Sequence, residues 1–196
     1  MRLAVFGYGS LVSRVSAEQT LGRPVASVHP ARLGGWSRAW TLVRDNRASE
    51  KTFARPDGSL PTHCLGLNLD PSAGLQSPNG ALIELTAAEL ERLDVREMRY
   101  RRVDVSTQVE TRDQATTPSF DRVYAYTAKP AHRGLAAPRD AILIAAYLRT
   151  VEAAFAELGQ DELELFRATT EAPGAPVVEA NLVDGERIPP GNPRDW

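Results

Sequence analysis

Leu3-Ala4-Val5-Phe6 runs without a break into Gly7-Tyr8-Gly9-Ser10-Leu11. The apolar run reads as a strand, and the two glycines that follow it read as a turn. A turn of this kind can lay backbone N–H groups bare for an anionic or carbonyl ligand. A segment so close to the N-terminus is ordered only when it is tied into a sheet, so the strand is expected to be paired and the turn fixed. The plain alternative is a tight turn that holds nothing.

Two familiar uses of such a turn fit the residues poorly, a dinucleotide site and a hydrolase built on Ser10, the latter staying open as a rival reading. Val12 stands where a dinucleotide fingerprint needs its third glycine, and no long helix clearly follows, which argues against a Rossmann site. Ser10 lacks the flanking glycines of a nucleophile elbow at the required offsets, and only three histidines could serve as its base.

Outward from the turn, Ser16-Ala17-Glu18-Gln19 predicts a short helix that ends at Gly22-Arg23-Pro24. Ala31 to Val43 reads as sheet, bent or bulged at Gly34-Gly35. The polar stretch from Arg44 to Thr62 reads as a long loop. His63–Leu69 and Ala81–Leu85 are predicted strands. Thr86 and Glu89 have capping-box spacing, which starts a helix from Ala87 to about Arg96. Tyr100–Val109 alternates as a half-buried strand, Asp121–Thr127 forms another with both tyrosines on one face, and Thr111–Ser119 connects them. Ala141–Leu158 is predicted as a helix, and Glu162–Phe166 extends it or forms a second one. The pattern predicts an α+β fold, a mostly antiparallel curved sheet or small mixed barrel with a few flanking helices. One domain is expected over 1–172, with 173–196 an irregular tail on its surface.

Composition narrows the function classes. Of 196 residues 42% are hydrophobic and 24% charged, which indicates neither disorder nor a membrane class. Net charge is −2, and the Arg99, Arg101, Arg102 cluster lies among acidic residues with no basic face interleaved with aromatics, so nucleic acid is not an expected partner. Cys64, the only cysteine, excludes an internal disulfide and a thiolate-rich metal site. The apolar start is too short for a signal-peptide core and no run reaches membrane-span length, so no membrane association is expected and the cytoplasm is the expected location. His29, His63 and His132 lack ligand spacing, and no metal is expected.

Among acidic residues Glu97 stands out. Leu90, Leu93 and Glu97 follow i, i+3, i+7 spacing, so the carboxyl projects from the stripe that the leucines bury. Burial would raise its pKa toward that of a general base working near neutral pH, and a nearby arginine would lower it again. Pairing with Arg96, Arg99 or Arg101, or a helix that ends at Asp94, would make it structural or exposed. Trp36 and Trp40 share a strand face, as do Tyr124 and Tyr126, and Cys64 lies in a strand. Core packing is the ordinary role of each, and a ligand wall the alternative for the aromatics.

Three segments in this order, Phe6-Gly7-Tyr8-Gly9-Ser10-Leu11, then Gly34-Gly35-Trp36-Ser37-Arg38, then Leu93-Asp94-Val95-Arg96-Glu97-Met98-Arg99-Tyr100-Arg101-Arg102-Val103, resemble the gamma-glutamylcyclotransferase-like superfamily over roughly Leu3 to Thr127. The resemblance implies that Tyr8, Gly9, Ser10 and Leu11 hold the substrate, that Glu97 matches the catalytic glutamate, and that Tyr124 is a substrate-side phenol. It implies release of 5-oxoproline and a free amine or amino acid from a γ-glutamyl amide, with no cofactor, because the nucleophile belongs to the small-molecule substrate. Met98-Arg99-Tyr100 departs from the lysine- and glycine-rich version of the glutathione-degrading branch, which weakens the expectation of glutathione. A non-catalytic module binding a small metabolite or partner on the same fold is the competing reading.

Overall fold

The computed structural model describes residues 1–74, 77–112 and 117–185. The opening run forms β1 (Leu3–Gly7), which pairs antiparallel with β6 (Asn79–Leu85) and parallel with β9 (Arg122–Ala128). With β2 (His29–Leu33), β7 (Tyr100–Asp104) and β8 (Val109–Thr111) these make a six-stranded sheet in the order β7-β9-β1-β6-β2-β8.

The central position of β1 explains its unbroken apolar sequence. Ala4 and Phe6 enter one core, while Leu3 and Val5 enter another on the opposite face. A strand covered on both faces has no polar alternation to show. Each fully buried Leu, Val or Phe contributes about 1.5–3 kcal/mol. Against β1, Gly80 has no substitute, because a β-carbon there would stand 2.2 Å from the Gly7 carbonyl oxygen.

The second core is closed by α1 (Arg14–Leu21) and α2 (Ala87–Arg96) through Ala17, Leu21, Leu90 and Leu93. Both helices start on side-chain caps: the Ser13 hydroxyl accepts from the Ser16 amide, and Thr86 and Glu89 complete the predicted capping box at 3.2 and 2.7 Å. The first core is covered by α3 (Ala145–Leu158) and α4 (Gln160–Thr169), whose Phe155 and Phe166 rings stack at 4.5 Å.

A second sheet contains β3 (Trp36–Asp45), β5 (His63–Pro71), β10 (Ala141–Ile144) and β11 (Val177–Val178), in the order β11-β10-β5-β3. A two-stranded ribbon joins β4 (Lys51–Ala54) to β12 (Asn181–Gly185). Antiparallel pairs predominate, as the sequence predicts, and among the described residues no pairing closes a sheet into a barrel.

The differences from sequence expectation have one cause, pairing between distant segments. Ala141–Ile144 is a strand rather than the first turn of a helix, because it pairs in parallel with β5 through His63 and Cys64. The predicted 44–62 loop contains β4, and the expected irregular tail contains β11 and β12, with Leu182 opposite Phe53. The Tyr100–Val109 strand is split into β7 and β8, which lie at opposite edges of the sheet. The expectations for 186–196, and for the part of the Thr111–Ser119 connection at 113–116, lie outside the described residues.

Candidate active site

Beyond β1 the chain makes a single helical turn at Ser10–Val12, closed by bonds from the Val12 amide to the Gly9 carbonyl and from the Ser13 amide to the Ser10 carbonyl. The Gly9, Ser10 and Leu11 amides donate to no acceptor among the described residues. The turn lines a cavity of about 260 Å³, slightly smaller than the usual range for drug-sized ligands.

Glu97 reaches the same cavity from α2. It is the C-cap residue, with its amide bonded to the Leu93 carbonyl and its own carbonyl accepting from the Tyr100 amide. The helix therefore runs past Asp94, and its end aims the carboxylate into the pocket. That side chain is 17% exposed and accepts no hydrogen bond among the described residues, and its ion contact is Arg96 Nε at 3.5 Å. Burial pushes the carboxyl above the ordinary glutamate value, and the Arg96 guanidinium opposes that rise. Arg96 is spread over hydroxyls, donating to Thr20 at 2.6 Å, Ser10 at 3.3 Å and Ser16 at 3.4 Å, and so ties the base to the turn.

Four tyrosines, Tyr8, Tyr100, Tyr126 and Tyr147, line the cavity. Tyr8 donates to the Tyr126 carbonyl at 2.6 Å, Tyr100 to the Leu67 carbonyl at 2.7 Å and Tyr126 to Asp94 Oδ1 at 2.6 Å. Burial holds every phenol above its ordinary pKa, with the Glu97 charge adding to the effect, and Tyr147 is pushed up to about 12. All four are neutral at physiological pH, so they can donate hydrogen bonds but not act as bases.

Behind the turn, Arg38 on β3 is fully buried. It reaches the Tyr8 carbonyl at 3.5 Å, the Asn79 carbonyl at 2.5 Å and Asn79 Oδ1 at 2.8 Å. On α4 and just beyond it, the same guanidinium donates to the Phe166 carbonyl, Thr169 and Thr170. This explains why a Gly34-to-Arg38 segment accompanies the glycine turn: Arg38 fastens the turn to β6 and α4.

Of the expected site residues, the structure brings Tyr8, Gly9, Ser10, Leu11 and Glu97 to one cavity. Tyr124 is not among the lining residues; Arg102 lies 5.0 Å from its ring centroid, and its strand neighbour Tyr126 reaches the pocket instead. Trp36 and Trp40 are core residues, Trp36 donating to Gln108 at 3.1 Å and Trp40 meeting Tyr147 edge-on. Cys64 is buried and also lines the cavity, its thiol pushed up by burial. No histidine is among the lining residues, so Ser10 has no imidazole to activate it there. Sequence reading missed Tyr100, Tyr147 and the β3–β4 residues Arg44, Glu50, Lys51 and Phe53. Only Tyr100 carried a signal, its place three residues after Glu97.

No known family model and no curated protein sequence matches the chain. Solved structures do match. YkqA from Bacillus subtilis aligns with TM-score 0.55 and 17% identity over 85% of this chain, which spans about half (53%) of that protein. A yeast gamma-glutamyl cyclotransferase specific to glutathione aligns with TM-score 0.52 and 16% identity over 87% of this chain and 97% of its own. Human loc79017 gives TM-score 0.52 and 15% identity over 86% and 88%. At such identities the likeness is one of architecture, and this chain has the gamma-glutamyl-cyclotransferase-like fold.

Proposed function

We propose that the cavity cyclises γ-glutamyl amides. The observation that carries this reading is Glu97, a carboxylate that accepts no hydrogen bond among the described residues, sits above its ordinary pKa, and lines the same cavity as Gly9, Ser10 and Leu11, whose amides donate to no acceptor among the described residues. A largely buried carboxylate whose ion contact is Arg96 Nε at 3.5 Å is costly to hold there, and proton transfer is the task that justifies it.

The substrate's α-amino nitrogen attacks its own γ-carbonyl carbon. A C–N bond forms to close the five-membered lactam, and the amide C–N bond to the departing amine breaks. The α-ammonium loses one proton to become nucleophilic and a second as the lactam forms, and the departing nitrogen gains both and leaves as an ammonium. Glu97 carries the proton between the two nitrogens. The amides of Gly9 to Leu11, with the Ser10 hydroxyl, hold the α-carboxylate or the developing oxyanion. The neutral tyrosines wall the chain into its folded form, and such proximity can supply as much as about 7–11 kcal/mol of the barrier.

The test is to incubate the protein with γ-glutamyl dipeptides, γ-glutamylamines and glutathione and assay 5-oxoproline. Turnover that Glu97→Gln abolishes is the expected result. Full turnover in Glu97→Gln would remove the assigned role, and binding without product in the native chain would leave a ligand-holding module.

A further inference from the structure

The charged residues that line the cavity are unequal in number: Arg44, Lys51, Arg96 and Arg99 stand against Glu50 and Glu97. Arg99 is engaged by both oxygens of Glu50, and Arg96 stands beside Glu97. Arg44 meets only uncharged acceptors among the described residues: Ser49 Oγ at 2.6 Å, the Lys51 carbonyl, and Asn46 Oδ1 at 3.4 Å. The Phe53 ring lies under it, 5.2 Å from centroid to guanidinium carbon. The cavity thus contains a held, planar cation with no carboxylate bonded to it among the described residues.

Sheet register places this cation along the cavity. Arg44 lies opposite Cys64 on β5, whereas Leu67 on the same strand packs at the glycine turn, where a β-carbon on Gly9 would stand 3.3 Å from its methyl group. Three residues along a strand span about 10 Å. A γ-glutamyl dipeptide measures roughly as much from its α-carboxylate to its terminal carboxylate, two to three extended residue lengths. With the head group on the turn and the scissile carbonyl at Glu97, the departing half extends toward Arg44.

We propose that Arg44 is the specificity-determining residue for the departing half, and that the substrates are γ-glutamyl amides whose leaving amine carries a carboxylate. An amino acid or peptide is therefore favoured over an uncharged or cationic amine. This inference rests on the γ-glutamyl reading of the cavity. A guanidinium matches a carboxylate with two parallel hydrogen bonds, whereas a cationic tail would meet a like charge.

The experiment uses the full chain carrying Glu97→Gln, which separates binding from turnover. Calorimetry compares γ-glutamyl-alanine, its C-terminal amide and γ-glutamylputrescine. The acid is expected to bind about tenfold or more tightly than the amide, with the cationic compound weakest. Adding Arg44→Gln is expected to bring the acid-to-amide ratio close to one, and Arg44→Lys to retain part of it. Equal affinity for acid and amide, or a ratio indifferent to Arg44→Gln, overturns the proposal. Should Arg44→Gln fail to fold, the ratio in Arg44→Lys decides, and an undiminished ratio there also overturns it. Turnover by the native chain is read separately. Product formed without an acid preference removes the Arg44 assignment alone. An acid preference without product removes the cyclisation and leaves the assignment, and failure of all three compounds to bind removes both.

Discussion

Arg38 and Glu97 are charges held inside the same molecule, one fastening the glycine turn from behind and the other facing it across the cavity. The Arg38 guanidinium is surrounded by acceptors from Tyr8, Asn79, Phe166, Thr169 and Thr170, with two phenylalanine rings against it. Burial lowers it to about 9, which still leaves it charged at neutral pH. Nearby Glu162, also fully buried, is met by Arg32, Arg112 and Asn79. Glu97 has one ion contact among the described residues, at 3.5 Å, and a raised pKa. Saturation makes the first charge an architectural fastener, while the second retains unused hydrogen-bonding capacity and is free to exchange a proton.

If that contrast holds, exchanging the two kinds of loss should separate activity from stability. Glu97→Gln is expected to lower kcat for 5-oxoproline release by about 10²–10⁴-fold while shifting denaturant stability by less than about 1 kcal/mol. Arg38→Met should do the reverse first, costing about 3–5 kcal/mol in a urea titration because several buried acceptors lose their donor. A stable Arg38→Met protein would break the comparison outright.

Gly9→Ala tests the space in front of the turn. The added methyl group would stand 3.3 Å from Leu67 and 3.6 Å from the Tyr147 hydroxyl. A loss of about tenfold in kcat/KM, equivalent to about 1.4 kcal/mol, is expected with the melting temperature nearly unchanged. The smallest effect is a shift in pH. The ionised form of Glu97 is the base, so the rate rises with pH through its pKa, which burial raises above the ordinary glutamate value. Arg96 lowers that pKa, so Arg96→Gln should move the acid limb of the kcat/KM profile to higher pH. A limb that stays in place would separate Arg96 from the base.

What could be read beforehand was what neighbours in sequence decide. The strand into Gly7-Tyr8-Gly9, the Thr86–Glu89 cap and the Leu90-Leu93-Glu97 stripe each lie within one or two turns of chain, and each has its structural counterpart. Ala141–Ile144 was misread because its spacing merges with the helix that follows, and only its pairing with β5 makes it a strand. Asp140, with φ of 63°, marks the boundary, but no sequence rule announces it. Arg44, Phe53 and Tyr147 reach the cavity from separate segments, and no local pattern relates them. Glu97 was legible because its helix face showed an acid among leucines. The unneutralised charge at Arg44 shows only when every neighbouring side chain has been assigned its partner.

The pairing of Leu182 with Phe53 bears on how the protein is made. Synthesis runs from the N-terminus, so the glycine turn, Glu97 and the Arg44 segment all leave the ribosome before β12 exists. Until then β4, which carries Lys51 and Phe53 to the cavity, has an open edge that any other strand could join. The part of the pocket wall that β4 forms gains its β12 partner only after that later segment has emerged, and the nascent chain is exposed to mispairing along that edge until residue 185 is free.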